Sequence, residues 1–262
     1  MTAPDAPRVQ YISSRDNPLL RQLRRLLQDG SGYRRAGVLW LEGDHLCSAL
    51  RQRGLAARHA VLTEQAWQQS ALRELAGWAP QVAVLPAALF DGFSGLATPA
   101  AIGFLIDAPA EAAFDPQAAS IVLDRVQDPG NVGSILRSAA AFGVAQVLAL
   151  QGTAALWSPK VLRAGMGAHF ALALHEGLAL ADLDTLTAPW VATSSHADVS
   201  LLQAELPSPC TWVLGHEGQG VAAALLARCA LQVRIPQPGG EESLNVAAAA
   251  AVCLYESARR LQ

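Results

Sequence analysis

Ile235-Pro236-Gln237-Pro238-Gly239-Gly240-Glu241-Glu242-Ser243-Leu244-Asn245-Val246 is the stretch that decides how this 262-residue chain is read. It leaves a strand-like run, Leu231 to Ile235, crosses a proline-glycine loop and enters a long alanine-rich segment of helical composition. A hydroxyl (Ser243) and an amide (Asn245) thereby reach the mouth of a helix beside a tight turn, the makings of a pocket for a polar small molecule. The same device occurs twice upstream. Asp124 to Arg137, DRVQDPGNVGSILR, follows the apolar run Ile121 to Leu123, and Gly215 to Val221, GHEGQGV, follows Thr211 to Leu214. Three strand–loop–helix junctions predict one composite site at the carboxyl ends of parallel strands.

The pattern around these junctions sets the fold class. Strands are predicted at 120–126, 145–150, 190–194, 211–214 and 231–235, alternating with helices at 132–142, 159–168, 222–229 and 244–261. That alternation predicts an α/β domain with a mainly parallel sheet. Upstream, Pro18 to Gln28 has leucines at 19, 20, 23, 26 and 27, with arginines at 21, 24 and 25 on the other side, an amphipathic helix. Short strands are predicted at 38–41, 60–62, 82–85 and 103–106, with a helix at 45–51, which makes a second, small α/β domain. Asp107 to Ala119 is rich in proline and alanine and lacks hydrophobic periodicity. The expected division is residues 1–110, a linker at 111–119, and a domain at 120–262.

With 52% hydrophobic and 16% charged residues, the chain can build sizeable cores, and wholesale disorder is excluded. No apolar run reaches the roughly 18 residues that span a bilayer. The first residues lack a signal-peptide layout, so no membrane association and a cytosolic setting are expected. The four cysteines (47, 210, 229 and 253) form no C-x-x-C pair and lie at no zinc-site spacing, so free thiols and no metal are expected. Net charge is −3, yet Arg8 to Arg58 holds ten arginines against four acids, a local excess of six positive charges. Such a block suggests a polyanion-binding arm, with Arg15, Arg21, Arg24 and Arg25 as candidate RNA contacts.

The three junctions together resemble the motifs of the SpoU-type RNA 2′-O-ribose methyltransferases of the SPOUT superfamily. The first matches through Asp128-Pro129-Gly130-Asn131-Val132-Gly133 and Arg137, the second through Gly215, Glu217, Gly218 and Gly220. The third matches through Ile235-Pro236, Gly239 and Ser243-Leu244-Asn245-Val246. The resemblance covers roughly residues 120–262 and implies an α/β knot: a trefoil-knotted, mainly parallel sheet that holds S-adenosylmethionine through main chain at Gly215, Ile235 and Leu244. It also implies a homodimer. Upstream, Leu41-Glu42-Gly43 followed by a helix resembles the RNA substrate-binding domain often fused to these enzymes.

The resemblance assigns catalysis to Arg137, Asn131, Glu217, Ser243 and Asn245. Each has a plainer reading. Arg137 is expected to bind phosphate and polarise the ribose hydroxyl, with base duty open, since a guanidinium gives up its proton too reluctantly to be an easy general base. Asn131 and Ser243 are expected as helix caps, as ribose or phosphate contacts, or as both. Asn245, two residues further on, is expected to be functional rather than a cap. Glu217 is expected to orient polar partners, and His216 to be solvent-exposed or to pack rather than act as a base. Gln237 and Ala247 depart from the family's usual methionine and serine. The appended domain favours ribosomal over transfer RNA as substrate. The alternative is a non-catalytic RNA-binding protein that has kept the fold.

Overall fold

A computed structural model describes residues 6–94, 99–110, 113–240 and 243–261. The chain divides into two compact units. One comprises Met1–Ala110 with Trp157–Phe170, the other Glu111–Leu156 with Ala171–Gln262.

The first unit runs β1 (Arg8–Tyr11), α1 (Pro18–Gln28), α2 (Tyr33–Ala36), β2 (Val38–Glu42), α3 (Asp44–Gln52), β3 (His59–Thr63), α4 (Glu64–Gln68), α5 (Ser70–Ala76), β4 (Gln81–Leu85), α6 (Ala87–Asp91) and β5 (Ile102–Asp107). Its sheet has the order β1-β4-β3-β5-β2, with β5 antiparallel to both neighbours. Asn17 starts α1 by accepting the Leu19 N–H, and Pro18 follows at the first helical position, where no N–H is needed. Leu20, Leu23 and Leu26 are buried under α1, while Arg21 and Arg25 face solvent. Trp40 of β2 packs against Phe90 and Phe93, with ring centroids at 6.2 and 5.8 Å. Its indole lies so close over Gly103 that any side chain there would overlap it.

The second unit contains β6 (Ser120–Leu123), α7 (Pro129–Ala141) and β7 (Gln146–Leu150). The chain then passes through α8 (Pro159–Gly165), which is grouped with the first unit. It continues with β8 (Ala173–Leu178), β9 (Trp190–Thr193), β10 (Thr211–Leu214), α9 (Ala223–Leu226), β11 (Leu231–Val233) and α10 (Val246–Arg259). The sheet order is β11-β9-β10-β6-β7-β8, and every neighbouring pair is parallel. The two-domain α/β class expected from the sequence, with its parallel sheet, is the observed one. β6, β7 and β10 are buried along their whole length, as a sheet covered on both faces requires. Val122, Leu148, Val213, Trp190 and Leu225 form the core on one side. On another side α10 packs along α7, and the Tyr255 ring stands edge-on to Phe142 at 5.9 Å.

Several expected boundaries shift. β6 stops at Leu123 rather than 126, because Arg125 takes a left-handed backbone, φ 57°, and turns the chain. β8 has no counterpart in the sequence reading. Residues 113–119 are tied to the second unit: the Gln146 carboxamide receives the Asp115 N–H and donates to the Asp115 carbonyl, and the Pro116 carbonyl accepts from Thr187 and Ala188. At the far end of α10, Arg260 donates to the carbonyls of Leu201 (2.8 Å) and Ala204 in the connection between β9 and β10. All four cysteines are free, and burial pushes the Cys253 thiol up to about 12. Among the described residues, no helix is long and apolar enough to cross a membrane.

Candidate active site

The three loops singled out in the sequence leave the carboxyl ends of β6, β10 and β11, and the first two of these strands are neighbours. Strand order reverses there: β7 and β8 lie to one side of β6, and β10, β9 and β11 to the other. That reversal is where open parallel sheets form ligand crevices.

Asp124, buried just past β6, joins the two sides. One carboxylate oxygen accepts the Ala222 N–H at 2.7 Å and the other accepts from Arg125 Nε at 2.8 Å. Arg125 continues to the Gln219 carboxamide oxygen at 3.0 Å. In the second loop, the backbones of His216 and Gly220 exchange hydrogen bonds of 3.1 and 2.8 Å. The turn is so tight that a Cβ on Gly215 would overlap the main chain of Gly220 and Val221. His216 Nδ1 accepts the N–H groups of Gly218 (2.9 Å) and Gln219 (3.2 Å). This histidine therefore shapes the turn, in line with a packing role.

The turn presents Glu217 to the first loop. Its Oε1 accepts the Asp128 N–H at 3.0 Å and the Asn131 amide at 3.1 Å, and its Oε2 accepts the Gln127 N–H at 3.2 Å. Desolvation is the largest single influence on this carboxyl and pushes its pKa up. The donors together outweigh it, led by the Asp128 N–H and the Asn131 amide, and hold the group at about 2. Glu217 is thus a fixed anion beside the positive end of α7, suited to orienting neighbours and too weak a base to take a proton. The chain continues to the third loop, where Asn245 Nδ2 donates to Asn131 Oδ1 at 2.9 Å. Side chains from all three loops thus form one line, Asn245 to Asn131 to Glu217.

Three local expectations of capping are corrected. Asp128, not Asn131, caps α7, accepting the Asn131 N–H at 2.8 Å ahead of Pro129 at the first helical position. The Asn131 amide is thereby released for Glu217 and Asn245. Asn245, expected not to be a cap, caps α10: its Oδ1 accepts from Ala247 (2.9 Å) and Ala248 (3.3 Å). Ser243 is exposed outside the helix and makes no hydrogen bond among the described residues. Arg137 is exposed on α7 with no polar partner among them. Six residues beyond Asn131, it lies roughly 9 Å further along the axis and on another face. In the first unit, Arg24 donates to the Arg15 carbonyl at 2.7 Å, while Arg15, Arg21 and Arg25 are exposed. The residues missed from sequence are Asp124, Arg125 and Gln219. Asp124 carried a signal, as an acid ending an apolar strand, whereas an arginine with positive φ carries none.

The SpoU rRNA Methylase family profile matches residues 118–255. The chain belongs to that family. An uncharacterized tRNA/rRNA methyltransferase of Synechocystis is 34% identical over 261 residues, 96% of this chain and 94% of the relative. A 23S rRNA (guanosine-2′-O-)-methyltransferase RlmB of Bordetella pertussis is 36% identical over 146 residues, 54% of this chain and 60% of that relative. The crystal structure of the SpoU methyltransferase AviRb from Streptomyces viridochromogenes with AdoMet superposes with a TM-score of 0.82 at 25% identity, covering 94% of this chain and 99% of that one.

S-adenosylmethionine is the methyl donor of this family, and the residues present fit it. A Cβ on Gly220, Gly239 or Gly240 would meet nothing within 4 Å, which leaves main chain open on the second and third loops. The buried Gln237 Oε1, between Ile235 and those glycines, has no hydrogen-bond donor among the described residues. Such an unsatisfied acceptor suits a ligand bearing amino or hydroxyl groups. Gly215 and Ile235 are half-buried and Leu244 is 41% exposed, so all three can be reached by a ligand.

Proposed function

We propose that this chain transfers a methyl group to a ribose 2′-oxygen of structured RNA, with ribosomal RNA favoured over transfer RNA. The observation that carries the proposal is the bonded line Asn245–Asn131–Glu217, which ties three loops together at the carboxyl ends of parallel strands. Belonging to the SpoU family and the 23S rRNA named for the RlmB relative support the substrate.

Bound S-adenosylmethionine supplies a methyl group on a positively charged sulfur, already activated for transfer. The main chain at Gly215, Ile235 and Leu244 would hold that donor. What remains for the protein is alignment of the two reactants and help with the hydroxyl proton. Glu217 and Asn131 fix Asn245 so that its free N–H can meet a ribose or phosphate oxygen, and Ser243 can contact the same group. Arg137 grips a phosphate and polarises the hydroxyl.

The functional unit in this proposal is a homodimer. Arg137 shares no hydrogen bond with the Glu217 line, so a complete site would draw on two chains. Val252 and Tyr255, 41% and 56% exposed on α10 next to α7, offer an apolar face for a second copy. The trefoil threading implied by the family is supported by Arg260, which anchors α10 to the β9–β10 connection. The first unit serves as the RNA substrate-binding domain, residues 120–262 serve the reaction, and the setting is cytosolic.

Calorimetry with S-adenosylmethionine, followed by tritium transfer to total RNA, tests the activity. Donor binding without transfer to any RNA fraction would leave a non-catalytic binding protein. Mapping ribose methylation in a deletion strain would then identify the nucleotide.

A further inference from the structure

The first unit carries a groove of about 540 Å³ between α1 and α2, lined by Arg21, Arg25 and Arg35 with Gln22 and Asp29. Its single carboxylate is already committed. Asp29 Oδ1 accepts the N–H and hydroxyl of Ser31, both at 2.9 Å, and Oδ2 accepts from Arg35 at 2.6 Å. Arg21 and Arg25 have no such partner among the described residues, although both are exposed on one face of α1. Four residues apart on a helix, their side chains start roughly 5–6 Å from one another. Three other arginines of the unit are engaged: Arg51 with Glu74 at 2.9 Å, Arg58 with Asp107, and Arg24 with the Arg15 carbonyl. The leucines beneath fix α1, because Leu20, Leu23 and Leu26 are all buried. Two unneutralised guanidinium groups are thus mounted on a rigid helix over an open groove whose far wall carries a third.

We propose that this groove is a phosphate cradle for the backbone of the substrate RNA, with Arg21 and Arg25 each taking a phosphate and Arg35 held in place by Asp29. The inference rests on the proposed RNA methylation and narrows the candidate contacts. Arg21 and Arg25 belong to the cradle, and Arg24, turned toward the Arg15 carbonyl, does not. Guanidinium forks suit phosphate oxygens, and the contact reads backbone rather than sequence.

The test uses the full-length protein and a 23S rRNA transcript, with affinity measured across a salt series. Arg21→Glu with Arg25→Glu should weaken binding at least tenfold at low salt. It should also reduce the salt slope by roughly 1.5 log units of affinity per log unit of salt, the loss of two phosphates at about 0.7–0.9 each. Arg21→Gln with Arg25→Gln, which keeps the side-chain stems, should lose a similar slope, so a folding defect in the first variant leaves the test standing. Arg73→Glu, exposed on α5, should change neither quantity. Affinity for S-adenosylmethionine should be the same in all. Equal losses in Arg73→Glu, or an unchanged slope in both double variants, overturns the cradle. If the unaltered protein binds the donor but no RNA, the methylation proposal fails, a distinct result.

Discussion

Asn245 performs two tasks with one carboxamide, and two substitutions separate them. Its oxygen caps α10 through Ala247 and Ala248, and its nitrogen holds Asn131 at 2.9 Å. Asn245→Ala removes both. Loss of the cap costs about 1 kcal/mol, within a range of roughly 0.5–2. Loss of a solvent-exposed hydrogen bond adds about 0.5–1 kcal/mol. The sum of about 1.5–2 kcal/mol corresponds to a fall in Tm of roughly 3–8 °C for a chain of this size. Asn245→Asp keeps the capping oxygen and places its charge at the favourable end of α10, so its stability should stay within about 0.5 kcal/mol of the original. It loses the donor, however, and turns a carboxylate toward the Asn131 carbonyl oxygen, next to the Glu217 anion. Methyl transfer should therefore collapse in both variants, while only the alanine variant melts early. Paired urea unfolding and tritium-transfer assays read the two effects. An aspartate variant that transfers methyl groups at the normal rate, or one that unfolds as readily as the alanine variant, would refute the division of labour.

Gly215→Ala should open the turn at His216–Gly220 and so cost its two backbone hydrogen bonds, about 2 kcal/mol together. Donor affinity should fall with it, and unchanged urea midpoint and calorimetry would show that the turn tolerates a Cβ. Arg137→Ala should abolish methyl transfer with donor binding nearly intact, and Arg137→Lys should not restore full activity, because an ammonium lacks the planar fork; single-turnover transfer beside donor calorimetry decides. Glu217, held at about 2 against an ordinary 4.5, adds stability that is fully present above pH 4.5 and is lost as pH falls toward 2. Glu217→Gln should flatten the stability curve between those values. A variant with the original acid dependence would assign the effect to another carboxyl.

The site was legible in the sequence as three loops and not as the contacts between them. Glycine and proline spacing located the loops, because tight turns demand those residues wherever they occur. Which amide caps and which amide bridges depended on chain geometry. The pair Asp128-Pro129 already carried the cap signal, an acid before a proline that has no N–H to satisfy, and once Asp128 is the cap Asn131 is free. Asn245 looked too far inside its helix to cap because the helix was read from Leu244, whereas it starts at Val246. In the fold, the buried strands were evident as apolar runs. β8 was not: of Ala173 to Leu178 only His175 is buried, and a glycine and a glutamate interrupt the run. β1, exposed at all four positions of Arg8–Tyr11, is held by pairing with β4, and its alternation of Val9 and Tyr11 with Arg8 and Gln10 is too short to mark a strand by itself.

The line from Asn245 to Glu217 has a polarity. Each amide gives its hydrogen toward the carboxylate, and both cap N–H groups occupy the Asn245 oxygen. Among the described residues one valence is therefore left at the open end, the second hydrogen on Asn245 Nδ2. Anything that docks there must present a lone pair. A ribose hydroxyl can do so only by turning its own hydrogen away, toward solvent or a neighbouring phosphate. In the proposed reaction the Asn245 N–H thus sets the direction in which the hydroxyl hydrogen points.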